Sequence, residues 1–214
     1  STDVEEAMDK TGGNGTGRSN LKKVGKIGGR GLEPEEKNGF VYYSQNDPSW
    51  KDSSYVSGTV NDGATMGDSG CGPTVMAMVA SQASKGKAIS PTDMAKFAST
   101  SGYRDDTGTN ANFIDYAGNS LGLEHSDVEN PSADFIKTQV SSGNPVVLNG
   151  VGSGAFTPAG HYVVAVGTDN NGKVLVNDPR GKQFSTSYSA DQLASQTRKA
   201  WSFGGAGGFG SIMR

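Results

Sequence analysis

Residues 68–74 read Asp-Ser-Gly-Cys-Gly-Pro-Thr and run straight into Val-Met-Ala-Met-Val-Ala-Ser-Gln-Ala at 75–83. That run of helix formers and apolar side chains predicts a helix. Pro73 suits its first turn, where a missing N–H costs nothing. The thiol of Cys71 is therefore expected at a helix N-terminus. Unpaired N–H groups and the helix dipole favour an anion there and lower a thiol pKa. Cys71 is the only cysteine, so it has no internal disulfide partner. Gly70 and Gly72 leave the backbone open to an approaching substrate and are read as substrate-binding positions. An isolated cysteine more commonly serves as a small buried hydrophobe. A thiol meant only for packing needs neither glycine.

The chain has 214 residues, enough for one domain with a core and something left over. Hydrophobic residues make up only 33%, and there are 32 glycines. This combination points to a packed domain with polar appendages. The net charge of −3 creates no bulk field for nucleic acid or an anionic membrane. No apolar run reaches the length of a membrane span. The chain opens on Ser1 with neither an initiator Met nor a secretory signal, so it is read as part of a longer polypeptide.

Residues 1–38 read as a flexible glycine-rich linker or tail, with Thr11 to Gly17 as its most polar tract. Gly28-Gly29-Arg30-Gly31 lacks the preceding strand and the closing Gly-Lys-Ser/Thr of a phosphate loop. The domain is expected over 39–214. It begins with a strand-like run, Phe40 to Gln45, and a turn through Asn46 to Trp50. Lys51 to Ser69 reads as a polar surface loop. Ser90-Pro91-Thr92-Asp93 is a helix start. Phe113, Ile114, Ala117 and Leu121 recur at helical steps. Pro131 to Asp134 opens another helix, which Gly143 ends.

The texture then changes. Pro145 to Asn149, His161 to Gly167 and Lys173 to Asn177 are strand patterns, and Asn170-Asn171-Gly172 is a hairpin turn. Ser189 to Lys199 reads as a short helix, and Trp201 to Phe203 as a strand end. Helices in the first half and antiparallel strands in the second indicate the α+β class.

A thiol nucleophile needs a base, and only two histidines exist. His125 lies in a polar segment and reads as a solvated loop or strand-edge residue. His161 opens an apolar strand, where its side chain can face a cleft and take the thiol proton. The base needs an acceptor on its other ring nitrogen. Asp178, in Asn177-Asp178-Pro179, is the first candidate, although a tight turn at Asn171-Gly172 would set it opposite residue 165. A bulge or wider loop is needed to bring it to His161. Asn177 is the alternative and should point to the opposite face. Gln45 can donate an amide N–H to an oxyanion together with the Cys71 backbone N–H.

Four blocks in this order resemble a known family: Tyr42 to Trp50, Gly70 to Thr74, Gly160 to Val166, and Asn177 to Pro179. They are similar to the motifs of the bacteriocin-processing-like cysteine peptidases, family thirty-nine of the papain-like clan. The resemblance spans about Phe40 to Phe203. It implies a papain-like α+β fold. It also implies Cys71 as nucleophile, His161 as base, Asp178 as orienter and Gln45 as oxyanion donor. Gly160 and Trp50 join Gly70 and Gly72 as expected substrate-binding positions. Gln45 lies far upstream of Cys71, whereas the leader-cleaving peptidases of ABC transporters keep the two close. The spacing is that of the free-standing branch.

The expected substrate is therefore a peptide. The first expectation is a peptide cross-link of bacterial peptidoglycan, cut by a module of a larger lytic, phage-tail or conjugation protein at the cell wall, outside the cell or on a virion. Trimming of precursors after paired glycines, and a non-catalytic papain-like binding module, are the alternatives. No cofactor is expected. One Cys and two His at wide spacing supply no zinc set. Asp105 and Asp106 lack the later acids of a calcium loop.

Overall fold

The run of apolar residues after Cys71 does form a helix, and it is almost entirely buried. The computed structural model describes residues 34–84, 88–204 and 209. The glycine tracts at 11–17, 28–31 and 205–208 lie outside these residues, as does most of the segment assigned to the tail. Short helix α1 (Met66–Ser69) leads through Gly70 into α2 (Cys71–Ala83). Every residue of α2 from Gly72 to Ser81 is buried. A helix apolar all round belongs in a core. Each of Val75, Met76, Met78 and Val79 contributes roughly 1.5–3 kcal/mol by burial.

Two more helices complete this layer. Helix α3 (Pro91–Thr100) starts as its sequence predicts, with the Ser90 hydroxyl accepting from the Asp93 N–H and Pro91 at the first position. Helix α4 (Asn112–Ser120) buries Phe113, Ile114 and Ala117. An N-terminal hairpin, β1 (Glu35–Lys37) with β2 (Phe40–Tyr42), is fastened to α2. The Val41 N–H donates to Gln82 Oε1, and the Tyr43 and Ser81 hydroxyls are 3.1 Å apart. Strand β1 falls inside the segment read as tail. Its exposed, charged residues carry no sequence signal of a strand; pairing with β2 creates it.

A six-stranded antiparallel sheet forms the second layer. Its strands are β5 (His125–Glu129), β6 (Val146–Gly150), β7 (His161–Thr168), β8 (Val174–Asn177), β9 (Ser187–Tyr188) and β10 (Thr197–Phe203), in the order β5-β10-β6-β7-β8-β9. A small ribbon, β3 (Arg104–Asp105) and β4 (Gly108–Thr109), packs beside α2. Alternation along the strands separates two cores. Val147, Tyr162, Val164, Trp201 and Phe203 face α2, α3 and α4. Val146, Leu148, Val163, Ala165 and Ala200 face the opposite side. That side is covered by α5 (Ala133–Ser141) and α6 (Ala190–Gln196), through Ile136, Val140 and Leu193.

This is the expected α+β class, with helices on both faces of the sheet. Strand β5 departs from the sequence reading. His125-Ser126-Asp127-Val128-Glu129 is too polar to signal a strand, yet it pairs along β10 as the sheet edge. The segment 51–69 also departs from a plain surface loop. Tyr55 and Met66 in it are buried, and the buried Arg104 guanidinium holds Asp62 in a bidentate pair while donating to the Tyr55 carbonyl.

Helix α2 and β4 pack closely at Gly72. A Cβ there would lie 2.7 Å from Thr109 Cβ. Gly72→Ala should therefore destabilise the domain by about 1–3 kcal/mol through overpacking. The check is urea denaturation: a lower midpoint at unchanged slope is expected, and an unchanged midpoint would show that α2 and β4 separate freely.

Candidate active site

Cys71 is the first residue of α2, as the Gly-Cys-Gly-Pro setting predicts. Helix α1 delivers the chain to that point. Thr65 and Asp68 form a reciprocal capping box at its start. Cys71 is half-buried and lies in an open cleft of about 460 Å³. The cleft runs between the α1–α2 junction, the β3–β4 turn, and the sheet at Asn149, Gly160 and His161. Its sulfur lies within the electrostatic reach of the His161 imidazole and of the Gly72 and Tyr162 backbone N–H groups.

His161 starts β7, next to the central helix. Its Nε2 is 2.8 Å from Asp178 Oδ1, which leaves Nδ1 for the sulfur. The register explains how Asp178 reaches it. The β7–β8 loop is wider than a two-residue turn, with Thr168 opposite Val174, and a bulge follows between Ala165 and Gly167. Together they pair Val164 with Asn177. One further step sets Asp178 opposite Val163, two residues from His161 and on its face.

Asp178 is fully buried, and its carboxylate is fully engaged. Oδ1 accepts from His161 Nε2 and from the Arg180 backbone N–H at 2.9 Å. Oδ2 accepts from Arg180 Nε and Nη2 at 3.1 and 2.8 Å. The Arg180 guanidinium also donates to the Gly154 carbonyl and lies over the Phe184 ring. The Asp178 backbone is held too, by Ser185 Oγ on its N–H and by the Tyr42 hydroxyl on its carbonyl. Sequence reading missed Arg180. The available signal was an Arg two residues after the Asp across a proline, where a turn brings the two side chains together.

These contacts act on both partners of the thiol–imidazole pair. Burial pushes the Cys71 thiol up. The hydrogen bond and charge of His161, with the N–H groups of Tyr162 and Gly72, outweigh it and hold the thiol below its ordinary value. Burial pulls His161 down. Hydrogen bonds to Asp178 and Cys71, and the negative charges of both, push it up to about 9. The arrangement can hold a thiolate beside an imidazolium near neutrality.

The other expected positions fall differently. Asn177 points away from His161, as its position one residue along requires. It accepts from Asn38 and donates to the Lys37 carbonyl, so it secures the N-terminal hairpin. Gly160 lines the cleft. Gly70 and Gly72, read as openings for substrate, are buried. A Cβ on Gly70 would lie 2.5 Å from the Met66 carbonyl oxygen, so close packing is the reason for both glycines. Trp50, read as substrate-binding, is a core residue. Its Nε1 donates to the Ser44 carbonyl and its ring meets Tyr43 edge-on, away from the cleft walls. Gln45 is buried beside α1, and its Nε2 donates to the Gly67 carbonyl at 3.0 Å. It is not part of the cleft wall, and its Oε1 has no partner among the described residues. His125 is a strand-edge residue hydrogen-bonded to Asp115, remote from the thiol in the fold. Among the described residues no cluster could hold a metal.

A thiol at a helix start facing an imidazole and a carboxylate on an antiparallel sheet is the layout of a papain-like peptidase. The match to a family model is consistent with this: residues 37–206 match the Peptidase_C39 like family. The chain belongs to that family of cysteine peptidases. Among solved structures it is similar to the peptidase domain of Streptococcus ComA, a bi-functional ABC transporter involved in a quorum sensing pathway. Identity is 23% over 62% of this chain and 89% of that one, with a TM-score of 0.49. A Bacillus anthracis protein described as C39-like is 20% identical over 64% of this chain and 88% of that one, with a TM-score of 0.47. The peptidase domain of Streptococcus mutans ComA is 18% identical over 70% of this chain and 98% of that one, with a TM-score of 0.40. No curated protein matches the sequence.

The lowered thiol makes a direct prediction. An ordinary cysteine is only about 0.3% thiolate at pH 6. Cys71 should react with iodoacetamide at pH 6 many times faster than that fraction allows, and a rate that climbs only near pH 8.5 would contradict the pairing. The raised imidazole predicts the alkaline limit. His161 is protonated below about 9 and loses its proton as pH rises through that value. Peptidase kcat/KM should fall above pH 9 and fall at lower pH in Asp178→Asn, because the carboxylate is what holds the proton.

Asp178→Asn should also lower kcat by roughly 10²-fold or more. Asn177→Ala should spare turnover and lower the thermal midpoint instead, since Asn177 holds the hairpin. The reverse pattern in steady-state kinetics and thermal melts would transfer the orienting role to Asn177.

Proposed function

We propose that this chain hydrolyses peptide bonds through Cys71, with His161 as proton carrier and Asp178 as orienter. The thiolate attacks the scissile carbonyl, and the His161 imidazolium protonates the departing amine. Neutral His161 then takes a proton from the water that opens the thioester, returning the thiol–imidazole pair. The Cys71 backbone N–H donates to the oxyanion. Gln45 Nε2 donates to the Gly67 and Met66 carbonyls at 3.0 and 3.4 Å, so it serves as the second donor only by turning from them toward the substrate. The observation that carries this reading is the placing of Cys71 and His161 on one cleft, electrostatically coupled, with His161 Nε2 2.8 Å from the buried Asp178 carboxylate.

The substrate we propose is a peptide cross-link of bacterial peptidoglycan, cut by this chain as a module of a larger lytic, phage-tail or conjugation protein acting at the wall. The open cleft supports it, since its walls are mostly small and polar and suit a short extended peptide. The long spacing between Gln45 and Cys71 supports it too, being unlike that of transporter-borne leader peptidases. No helix among the described residues is long and apolar enough to cross a membrane.

Zymography on purified sacculi is the test, with Cys71→Ala as control and the released fragments identified by mass spectrometry. Cleared zones and new peptide termini are expected from the wild-type chain only. Intact muropeptides alongside cleavage of synthetic Gly-Gly peptides would reassign the substrate to peptide precursors.

A further inference from the structure

Five titratable side chains line the cleft: Asp68, Cys71, His161, Tyr162 and Arg198. Four are committed. Asp68 Oδ2 caps the Thr65 N–H, Cys71 and His161 hold each other, and the Tyr162 hydroxyl donates to the Thr109 carbonyl. The Arg198 guanidinium has no hydrogen-bond or ion-pair partner among the described residues. Its neighbour Lys199, by contrast, is paired, with Asp127 at 3.1 Å and Asp115 at 3.9 Å.

The backbone aims this free cation at the site. Thr197 pairs with Gly150 and Lys199 with Asn149, so Arg198 is an extra residue in a β-bulge. Such bulges re-aim a side chain, and without one Arg198 would take its place in the regular alternation of β10. Gly150 in turn pairs with His161. Two strand spacings, about 10 Å, therefore separate the Arg198 backbone from that of His161. Asn149 lines the same cleft and adds an amide to it.

We propose that Arg198 is a specificity-determining residue that binds a carboxylate of the substrate, carried two to three residues from the scissile carbonyl. An extended peptide covers about 3.3–3.6 Å per residue, so two to three residues bridge the roughly 10 Å between the His161 and Arg198 backbones. A guanidinium suits a carboxylate by its planar fork. The inference rests on the peptidase reading of the cleft and adds the substrate class: peptides with a free carboxylate at that distance.

The test uses two thiol-directed probes that differ only at their far end, chloroacetyl-Gly-Gly as the free acid and as its carboxamide. Labelling of Cys71 is followed by intact-mass spectrometry at pH 7. The free acid should label the wild-type chain roughly five- to tenfold faster than the amide, from a charge-assisted hydrogen bond in an exposed setting. Added salt should shrink the ratio. Arg198→Gln should bring it down to that of a free thiol, and Arg198→Lys should restore part of it. The ratio is the readout, so any general change in thiol reactivity cancels. Equal rates for the two probes in the wild-type chain, or the same ratio in Arg198→Gln, would overturn the inference. Labelling by both probes at the pace of an ordinary thiol would instead count against the peptidase reading, whatever their ratio.

Discussion

A carboxylate with no exposure to solvent cannot stand alone in a protein interior; it needs charge and hydrogen bonds around it. Asp178 is such a group. Its needs are met by a strand and a turn: His161 arrives from β7 and Arg180 from the turn after β8. The Tyr42 hydroxyl, from the hairpin near the start of the domain, holds the Asp178 backbone carbonyl. Each contact also constrains something else. The imidazole, tied through Nε2, can only present Nδ1 to the sulfur. The turn, tied through Arg180, closes over Gly154. The hairpin, tied through Tyr42 and Asn177, closes the same end of the sheet.

The sulfur is placed by packing. Helix α2 lies wholly in the core, so its N-terminus cannot shift without opening the contacts of Val75, Met76 and Val79. Gly70 and Gly72 let the chain pass Met66 and Thr109 at distances no side chain permits. Core geometry therefore sets where the thiol meets the imidazole, and the sheet sets where the imidazole meets the carboxylate. Both faces of that sheet are covered, which leaves the ends of the central strands β6 and β7, near Asn149 and Gly160, for the cleft.

Much of this was legible because it is local. The Ser90 and Ser132 caps, the proline and glycine boundaries, the apolar run of α2 and the alternation in β7 are all encoded within a few residues. Cys71, His161 and Asp178 were legible as a set, since a lone thiol has few possible partners in a chain with two histidines. Strand β5 was not, because its residues are polar and its pairing partner, β10, lies far along the chain. Arg180 was not, because its role exists only once Asp178 is buried. Trp50 was misplaced for a related reason: an aromatic near a motif looks the same in sequence whether it faces the core or the cleft.

The sequence by itself determined the helix behind Cys71, the other main helices and the strands β2, β6, β7 and β8, and which side chains could supply nucleophile, base and acceptor. These follow from residue type and short-range periodicity. Only the tertiary structure decided that Asp178 rather than Asn177 reaches His161, that Gly70 and Gly72 serve packing, and that a bulge turns Arg198 into the cleft. Each depends on a one-residue choice of register or on how closely two distant segments approach, and no local pattern of residues carries that information.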